Sequence, residues 1–297
     1  MNPLPHTVTV GVVIPVYDDW HGLQRCLRAL ALQSYPRELL RVRVVNNGSS
    51  DWPPEPIFPM PVEVLHHRRP GSYGARNRAA LGWAVDVLAF TDADCEPAPH
   101  WIEQGVGRLS CAEDSLVLAA GRIVLTPQSS QPITAAEQLD QILGFDQERT
   151  VRRAGFGVTA NLFVPQTVFT ALGGFHAHTR SGGDRDFCER ARLIGVPVVY
   201  APQAVIEHPA RTWLELLIKQ RRIVGGRLSM VERRFFGRLN VLVLSLRPLA
   251  SESWRLILHP DLTLQRRLRL LALAWLLRGV VLLEWIRLQW PLQQPLR

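Results

Sequence analysis

The N-terminal part of the chain alternates β-branched apolar runs with stretches of helical periodicity. Strand-like runs span residues 8–16, 39–45 and 62–66, and a fourth ends at Asp92, whereas residues 20–33 place leucines at helical spacing. Strands separated by helices pair in parallel, because the helix carries the chain back across the sheet. The alternation therefore predicts an α/β fold with a doubly wound, mostly parallel sheet and helices on both faces.

Polar clusters follow three of these predicted strands. They occupy residues 17–19, 46–51 and 92–94, each directly after an apolar run. In a doubly wound sheet, ligands bind beyond the carboxyl ends of the parallel strands. The shared position of the clusters therefore predicts one ligand site at this edge of the sheet.

Two aspartates, Asp92 and Asp94, follow the fourth strand one residue apart. Alternation along a strand points both side chains to the same side, where two carboxylates can share a divalent cation that neutralises a diphosphate. Aspartates at strand ends are also common turn residues, so the pair alone leaves a purely structural role open.

Length and composition limit the class of protein. The chain has 297 residues, enough for one large domain or for one domain with an appendage, and its 47% hydrophobic and 20% charged residues are typical of a globular protein. The cysteines, Cys26, Cys95, Cys111 and Cys188, form no CxxC pair. Their spacing argues against a disulfide framework or a zinc knuckle and favours a reducing compartment.

Positive charge is concentrated at the C-terminal end of the chain. Residues 211–297 carry sixteen Lys and Arg against five Asp and Glu, a net charge of +11, so that the remainder of this +8 chain carries −3. All but one of these cations are arginines, which prefer planar anions such as phosphates. No nucleic-acid motif accompanies them, so we expect lipid headgroups or diphosphates rather than nucleic acid as partners.

The last part of the chain is rich in leucine, tryptophan and arginine. Its longest apolar run, Leu270–Leu277, is shorter than the roughly 20 residues that span a bilayer. The composition of Leu268–Trp290 is typical of a helix that lies in a membrane interface. The alternative is a packing helix that completes the core or forms a contact in a homo-oligomer.

Several short motifs occur in a specific order between residues 10 and 225. They are Val12–Tyr17, Leu30–Pro36, Asn46–Asp51, Gly74–Asn77, Phe90–Asp94, Gly173–Phe175, Gly183–Cys188 and Glu207–Pro209. Together they resemble the family 2 inverting glycosyltransferases, which have the GT-A fold of the nucleotide-diphospho-sugar transferase superfamily. The resemblance implies a glycosyltransferase of the hexosyltransferase class.

By this resemblance, a sugar moves from a UDP- or GDP-type donor to a hydroxyl acceptor on a polysaccharide, a glycolipid or a cell-surface glycan. The implied nucleotide-sugar contacts are Pro15, Val16, Tyr17, Asp18, Asn46, Arg76, Asp92, Ala93 and Asp94. The family usually has Asp where Asn46 stands. Compared with Asp, the Asn side chain adds a hydrogen-bond donor and lacks the negative charge. The resemblance also implies a Mn²⁺ or Mg²⁺ ion held by Asp94, with Asp92 and His208 as further metal contacts.

Asp184 aligns with the general base of the family, which takes the proton of the acceptor hydroxyl. The family often has Glu before this residue, where the present chain has Gly183. Asp186 is the competing candidate, and both aspartates could instead cap the helix that follows. The resemblance further assigns residues to the acceptor or to closure over the donor, namely Asn161, Gly174, Asp186, Trp213 and Arg221.

These assignments predict two domains. Residues 1–225 form the transferase domain, with nucleotide-sugar binding at about 8–125 and the acceptor and catalytic part at about 126–225, and residues 226–297 form a helical extension. We expect a cytoplasmic protein, peripheral on the inner face of the cell membrane, with a glycan or lipid-linked acceptor.

Two other functions stay open at this stage. A sugar nucleotidyltransferase would need a basic, glycine-rich loop after the first strand, and the loop here is acidic at Asp18 and Asp19. A catalytically weak or inactive membrane-associated partner of another transferase would bind a nucleotide sugar without transfer. Asn46 and Gly183 favour that alternative, and the retained Asp92, Asp94 and Asp184 oppose it.

Overall fold

The computed structural model of the protein describes residues 7–110, 116–128, 132–179, 181–229, 235–246 and 248–289. Cys111 and Trp290, which the sequence analysis considered, lie outside these residues.

Within these residues, eight strands form a single sheet. They are β1 (Val10–Val16), β2 (Leu40–Asn46), β3 (Glu63–His66), β4 (Val87–Thr91), β5 (Glu96–Pro97), β6 (Leu118–Thr126), β7 (Asn161–Pro165) and β8 (Val198–Pro209). The helices are α1 (Trp20–Ala31), α2 (Ser72–Ala80), α3 (Trp101–Ser110), α4 (Ala135–Leu143), α5 (Gln147–Ala154), α6 (Gln166–Ala171), α7 (Gly183–Leu193), α8 (Trp213–Ser229), α9 (Phe235–Leu246), α10 (Pro248–Ile257) and α11 (Leu264–Arg287).

The sheet is mixed. Its strand order is β3-β2-β1-β4-β7-β6-β8-β5, and the pairs β1–β2, β1–β4 and β2–β3 are parallel, as the alternation of strands and helices predicts. The pairs β4–β7, β6–β7 and β5–β8 are antiparallel. The predicted α/β sheet is thus confirmed, and the first four strands in the chain form a parallel part of it.

An aromatic cluster joins β4 to the helices that carry the later motifs. Phe90, Phe169, Phe175 and Phe187 have neighbouring ring centroids 4.9 to 5.5 Å apart. Such ring pairs contribute about 0.5–1.5 kcal/mol each beyond the burial of apolar area. The cluster therefore holds α7, the helix of Asp184 and Asp186, against the strand that leads into Asp92.

The chain divides into two compact units. The α/β unit comprises Met1–Val124, Asp146–Thr179 and Gly183–His208, and the helical unit comprises Leu125–Phe145, Arg180–Gly182 and Pro209–Arg297. The C-terminal helical extension expected from the sequence is present, and α4 belongs to the same unit. The boundary at residue 225 stays a prediction.

The longest helix, α11, buries one face inside the helical unit. Leu270, Ala274, Leu277, Val281 and Glu284 recur at intervals of three and four and lie on that face. Leucines of α8, α10 and α11 form the surrounding apolar cluster together with α4. Within the described residues, no helix combines the length and the hydropathy needed to cross a membrane.

Candidate functional site

Asp94 and His208 come together at the end of the sheet. The short strand β5 starts two residues after Asp94, and Glu96 pairs there with Glu207 of β8, which brings His208 beside the aspartate. The His208 Nε2 atom lies 3.3 Å from Asp94 Oδ2. His208 is buried, whereas 36% of the Asp94 side chain is exposed. The pair therefore has an open side, and the buried Ala93 separates Asp94 from Asp92.

Cys95 is a third candidate ligand that the sequence analysis did not consider. One ligand atom each of Asp94, Cys95 and His208 lies within 4.8 Å of the others. Burial, followed by the charges of Asp94 and Asp92, raises the pKa of the Cys95 thiol well above its usual value. Thiolates favour soft metal ions, whereas hard divalent cations favour carboxylates, so for a hard cation Asp94 is the strongest donor of this group.

Arg76 reaches the same edge of the sheet from α2. Its side chain is buried and its guanidinium forms an ion pair with Asp92. Within the described part of the chain, no group bonds to the buried Arg76 Nε atom or to the buried Thr91 Oγ1 atom. A permanent positive charge is thus held at the strand ends, where solvent screens it little.

Two asparagines fix α2 in place. Asn47 donates from Nδ2 to the carbonyl oxygens of His67 and Arg69, at 2.7 Å each, and accepts from the amide of Gly71. Asn77 exchanges two hydrogen bonds with the backbone of Phe175. Neither asparagine was singled out as a site residue, because a buried amide is recognised as an anchor only when its partners are known.

The loops after β1 and β2 are bonded to each other, and Pro15 and Val16 end β1 there. Asp18 has a left-handed backbone (φ 48°), and its Oδ1 accepts from the amide and hydroxyl of Ser50 at 2.6 and 3.0 Å. These bonds outweigh a small effect of burial and lower the Asp18 pKa. The exposed Tyr17 side chain precedes it.

The side chain of Asn46 is bonded to its own loop. Its Oδ1 atom accepts from the amides of Gly48 and Ser49, at 3.0 and 2.8 Å, and so closes the turn after β2. By the family resemblance, Asn46 is a contact of the nucleotide sugar, and that role stays a prediction. In the structure, the oxygen is engaged by the backbone of its own loop, which is the usual way that Asn stabilises a turn.

The two aspartates of α7 have different surroundings. Asp186 Oδ2 lies 3.0 Å from Arg190 Nε and 3.0 Å from His176 Nδ1, so two basic groups engage it. Asp184 accepts from the amide of Arg185 at 2.9 Å and from the Tyr73 hydroxyl. Burial raises the Asp184 pKa although the Arg185 amide, Arg76 and Tyr73 act in the opposite direction.

Asn161 lies within the sheet, and its part in binding an acceptor stays a prediction. The residue is fully buried, its Oδ1 accepts from the indole of Trp101 at 2.8 Å, and its Nδ2 donates to the carbonyls of Arg122 and Ala204. All of these partners belong to the sheet and to α3, so Asn161 has a structural role. The amide of a buried asparagine must find such partners, which the sequence alone does not reveal.

Gly174 is a turn residue next to α2. Its φ is +75°, and a Cβ atom there would lie 2.6 Å from Asn77 Oδ1. Its carbonyl accepts from Arg190, which also bonds the carbonyl of Leu172. The glycine is therefore required by the backbone and by the close approach of Asn77.

Trp213 and Arg221 belong to the helical unit. Trp213 is half-buried against the apolar cluster of that unit, and Arg221 Nε lies 3.0 Å from Glu284 Oε2. Both side chains thus have partners within the helical unit, and their part in closure over a donor stays a prediction.

Comparison with known proteins identifies the family. The family described as "Glycosyl transferase family 2" matches residues 11–163, about half of the chain and most of the elements just described. The chain belongs to glycosyltransferase family 2. It is 35% identical over 227 residues to glycosyltransferase AglE of Haloferax volcanii, a match that covers 74% of this chain and 73% of AglE.

Other relatives of this glycosyltransferase agree. The pre-mycofactocin glycosyltransferase of Mycobacterium tuberculosis is 29% identical over 80% of the chain, which spans half of that protein. Among solved structures, mannosyltransferase PcManGT of Pyrobaculum calidifontis, in complex with GDP-Man and Mn²⁺, matches with a TM-score of 0.59 and 14% identity over 97% of this chain and 89% of that chain.

A second solved structure, GalNAc-T7 with UDP, GalNAc and Mn²⁺, matches with a TM-score of 0.53 and 17% identity over 69% of this chain and 44% of that chain. At these identities the structural matches establish the fold alone. They confirm the GT-A architecture that the motifs of this glycosyltransferase imply.

Proposed function

We propose that this glycosyltransferase moves a sugar from a nucleotide diphosphate sugar to a hydroxyl acceptor, with inversion and with the help of a divalent cation. The observation that carries the proposal is the approach of Asp94 and His208, 3.3 Å apart, beside the Arg76–Asp92 ion pair. Two structural neighbours that contain Mn²⁺ and a nucleotide or nucleotide sugar support it.

The donor atoms fit a divalent cation that accepts both oxygen and nitrogen ligands. Asp94 offers a carboxylate oxygen with an open side, and His208 offers an imidazole nitrogen. Mg²⁺ prefers oxygen ligands, whereas Mn²⁺ also accepts imidazole, so we favour Mn²⁺. When bound, such an ion supplies positive charge that stabilises a departing diphosphate. Because Asp92 is paired with Arg76, we place it on the nucleotide side of the site rather than among the direct ligands.

The remaining roles follow from charge and burial. Arg76 holds its positive charge at the strand ends, where it would bind the ribose-diphosphate region. Asp184 takes the proton of the acceptor hydroxyl as that oxygen attacks the anomeric carbon, and a raised pKa makes a carboxylate a stronger base. Asp186 is paired with Arg190, lies 3.0 Å from His176 and is the weaker candidate.

The substitution Asp94→Asn tests the cation site, because it keeps the shape of the side chain and removes its charge. We expect wild-type protein to bind one nucleoside diphosphate more tightly with Mn²⁺ than without it, as measured by calorimetry. The variant should lose this difference and about a hundredfold or more in turnover. Glu96→Gln is the matched control, since Glu96 pairs only with the surface residue Arg25 among the ion pairs described.

Two results would contradict this proposal in different ways. If nucleotide binding by Asp94→Asn still depended on Mn²⁺ as in wild-type protein, Asp94 would not be a ligand of the cation. Metal-dependent nucleotide binding without turnover, across a panel of donors and acceptors, would instead favour the inactive, nucleotide-sugar-binding partner.

We infer that the outer face of α11 binds an anionic lipid surface, which would make the protein peripheral on the cytoplasmic face of a membrane. Leu268, Trp275, Leu283 and Ile286 are exposed, although their helical spacing places them opposite the buried face of α11. Monomeric surfaces seldom expose such a continuous apolar stripe. The net charge of +11 over residues 211–297 complements anionic headgroups.

Sedimentation with lipid vesicles tests this surface. We expect binding to vesicles that contain phosphatidylserine, weaker binding to phosphatidylcholine alone, and loss of binding in Leu268→Ser/Leu283→Ser. Leu193→Ser, which removes an exposed leucine of the α/β unit, is the control. Equal binding by the double variant would contradict the lipid surface. A wild-type dimer that becomes monomeric in the double variant would show that a second copy covers the face. A lipid-linked acceptor is consistent with a membrane position.

A further inference from the structure

Gly183, directly before the candidate base Asp184, has no room for a side chain. A Cβ atom at this position would lie 2.7 Å from Cε2, 2.8 Å from Cδ2 and 2.9 Å from Cζ of Tyr73. The side chain of a non-glycine residue does not approach ring carbons so closely. The start of α7 therefore rests directly on the ring of Tyr73, which belongs to α2.

The Tyr73 ring has little freedom to move away. It is buried, its centroid lies 5.4 Å from that of Phe175, and the Arg76 guanidinium carbon lies 5.7 Å from its centre. Its hydroxyl interacts with both the backbone amide and the carboxylate of Asp184 through hydrogen bonds. Burial raises the pKa of the Tyr73 hydroxyl, so at neutral pH it is protonated and donates the hydrogen bond to the carboxylate.

We propose that Tyr73 is the positioning residue of Asp184. Glycine at position 183, which lacks a side chain, leaves the space that the Tyr73 ring occupies. The inference rests on the proposed function, because it concerns the base of that reaction. A carboxylate has two oxygens and a rotatable bond, and a general base must present one of them to the acceptor hydroxyl. A hydrogen bond donated by the hydroxyl of a fixed ring restricts that rotation.

The hydrogen bond also acts on the proton affinity of Asp184. The groups that face this carboxylate are Tyr73 and Arg76 from α2, and the Arg185 amide and the protonated Cys188 thiol from α7. Donation from the hydroxyl favours the charged form. Loss of the hydroxyl therefore raises the Asp184 pKa further, so that a higher pH is needed to ionise the base.

The substitution Tyr73→Phe removes the hydroxyl and keeps the ring. We expect kcat to fall by about tenfold to a hundredfold, as for the loss of one hydrogen bond to a charged group. The acid limb of the kcat/KM profile should move to higher pH, and nucleotide affinity should stay within about twofold. Gly183→Ala, which would push the ring and its hydroxyl away from Asp184, should move the acid limb in the same direction.

Tyr35→Phe is the matched control. The hydroxyl of the buried Tyr35 donates to the carbonyl of Val8 at 2.7 Å, a contact with no part in the site. Its removal should lower the melting temperature and leave the pH profile unchanged, which separates lost stability from lost positioning.

The possible failures are distinguishable. A wild-type pH profile and kcat in Tyr73→Phe, in protein that Asp184→Asn inactivates, would overturn the role of Tyr73 and leave the proposed function intact. Turnover retained in Asp184→Asn would overturn the assignment of the base. A ¹³C NMR titration of Asp184 in wild-type protein and in Tyr73→Phe tests the role of Tyr73 without measuring turnover. An unchanged midpoint in Tyr73→Phe overturns the inference.

Discussion

The two units of the molecule treat their acidic residues differently. In the helical unit, Asp140 and Glu284 are almost fully buried, and each faces two basic side chains, Arg211 and Lys219 in one case and Arg221 and Arg287 in the other. In the α/β unit, the Asp92 and Asp94 side chains stay 33% and 36% exposed beside Arg76 and His208. A carboxylate enclosed by two cations holds elements together, whereas one with an open side has capacity left for a ligand.

A second contrast lies within α7. Asp186 pairs with Arg190 and contacts His176 although 34% of its side chain is exposed, whereas burial raises the pKa of Asp184, two residues earlier in the helix. Burial without full charge compensation raises a carboxyl pKa, and such groups are common among catalytic bases. The pairing of an acid with its neighbours, rather than its burial, separates structural from reactive carboxylates here.

The largest effect that this comparison predicts is at Asp184. Asp184→Asn should reduce turnover by about 10²–10⁴-fold, because a general base is lost, while nucleotide binding measured by calorimetry is kept. Asp186→Asn should cost far less, since its charge is already compensated. A larger loss of turnover in Asp186→Asn than in Asp184→Asn would break the comparison.

The pH dependence of turnover should follow from the same residue. Since the Asp184 pKa is raised, the base is protonated over a wider range of acidic pH, and kcat/KM should fall as pH decreases through that raised value. A pH profile measured at saturating Mn²⁺ would locate the acid limb. An acid limb at the ordinary pKa of a free aspartate would contradict the burial argument.

Glu284 gives the next effect, on stability. Glu284→Gln would leave Arg221 and Arg287 without their shared carboxylate, and we expect a loss of about 2 kcal/mol in urea unfolding. This is below the value for a fully buried pair, because the two arginine side chains are 37% and 30% exposed. Glu148→Gln, in the exposed pair with Arg152, is the control and should cost less than about 0.5 kcal/mol.

Glu284 should also contribute to acid unfolding. Burial acts to raise its pKa, but hydrogen bonds from Arg287 and Arg221 outweigh burial and lower it. Because its folded pKa is depressed, the stabilisation is present above the unfolded pKa and is lost as pH falls through the folded value. Glu284→Gln should therefore flatten the fall of stability at acidic pH, and an unchanged acid limb would argue against a closed ion cluster.

The smallest expected effect is on the titration of Lys219, which can be measured first in wild-type protein. Lys219 is the only lysine of the chain, and burial, together with Arg211, lowers its pKa to about 8 although Asp140 acts to raise it. The ¹³C signal of the dimethylated lysine should titrate near that value, and Asp140→Asn should move the midpoint lower. A midpoint near the usual lysine value would show that Lys219 is solvated.

Much of the fold and part of the site could be predicted from the sequence. The parallel strands β1 to β4, the helices between them and the Asp92–Asp94 pair were all expected, because period, turn residues and strand ends are local properties. The motifs that imply a glycosyltransferase are local as well. The antiparallel entry of β7 beside β4 was not predicted strand by strand, since it depends on a long-range pairing.

What only the tertiary structure decided is which polar side chains meet. His208 reaches Asp94 through a two-residue strand pair, Tyr73 reaches Asp184 from another helix, and the amide of Asn161 bonds within the sheet. A sequence determines the hydrophobic period and the chemistry available at each position. The partner of a buried charge or amide depends on which distant segments pack against it, and those contacts form only when the whole sheet is assembled.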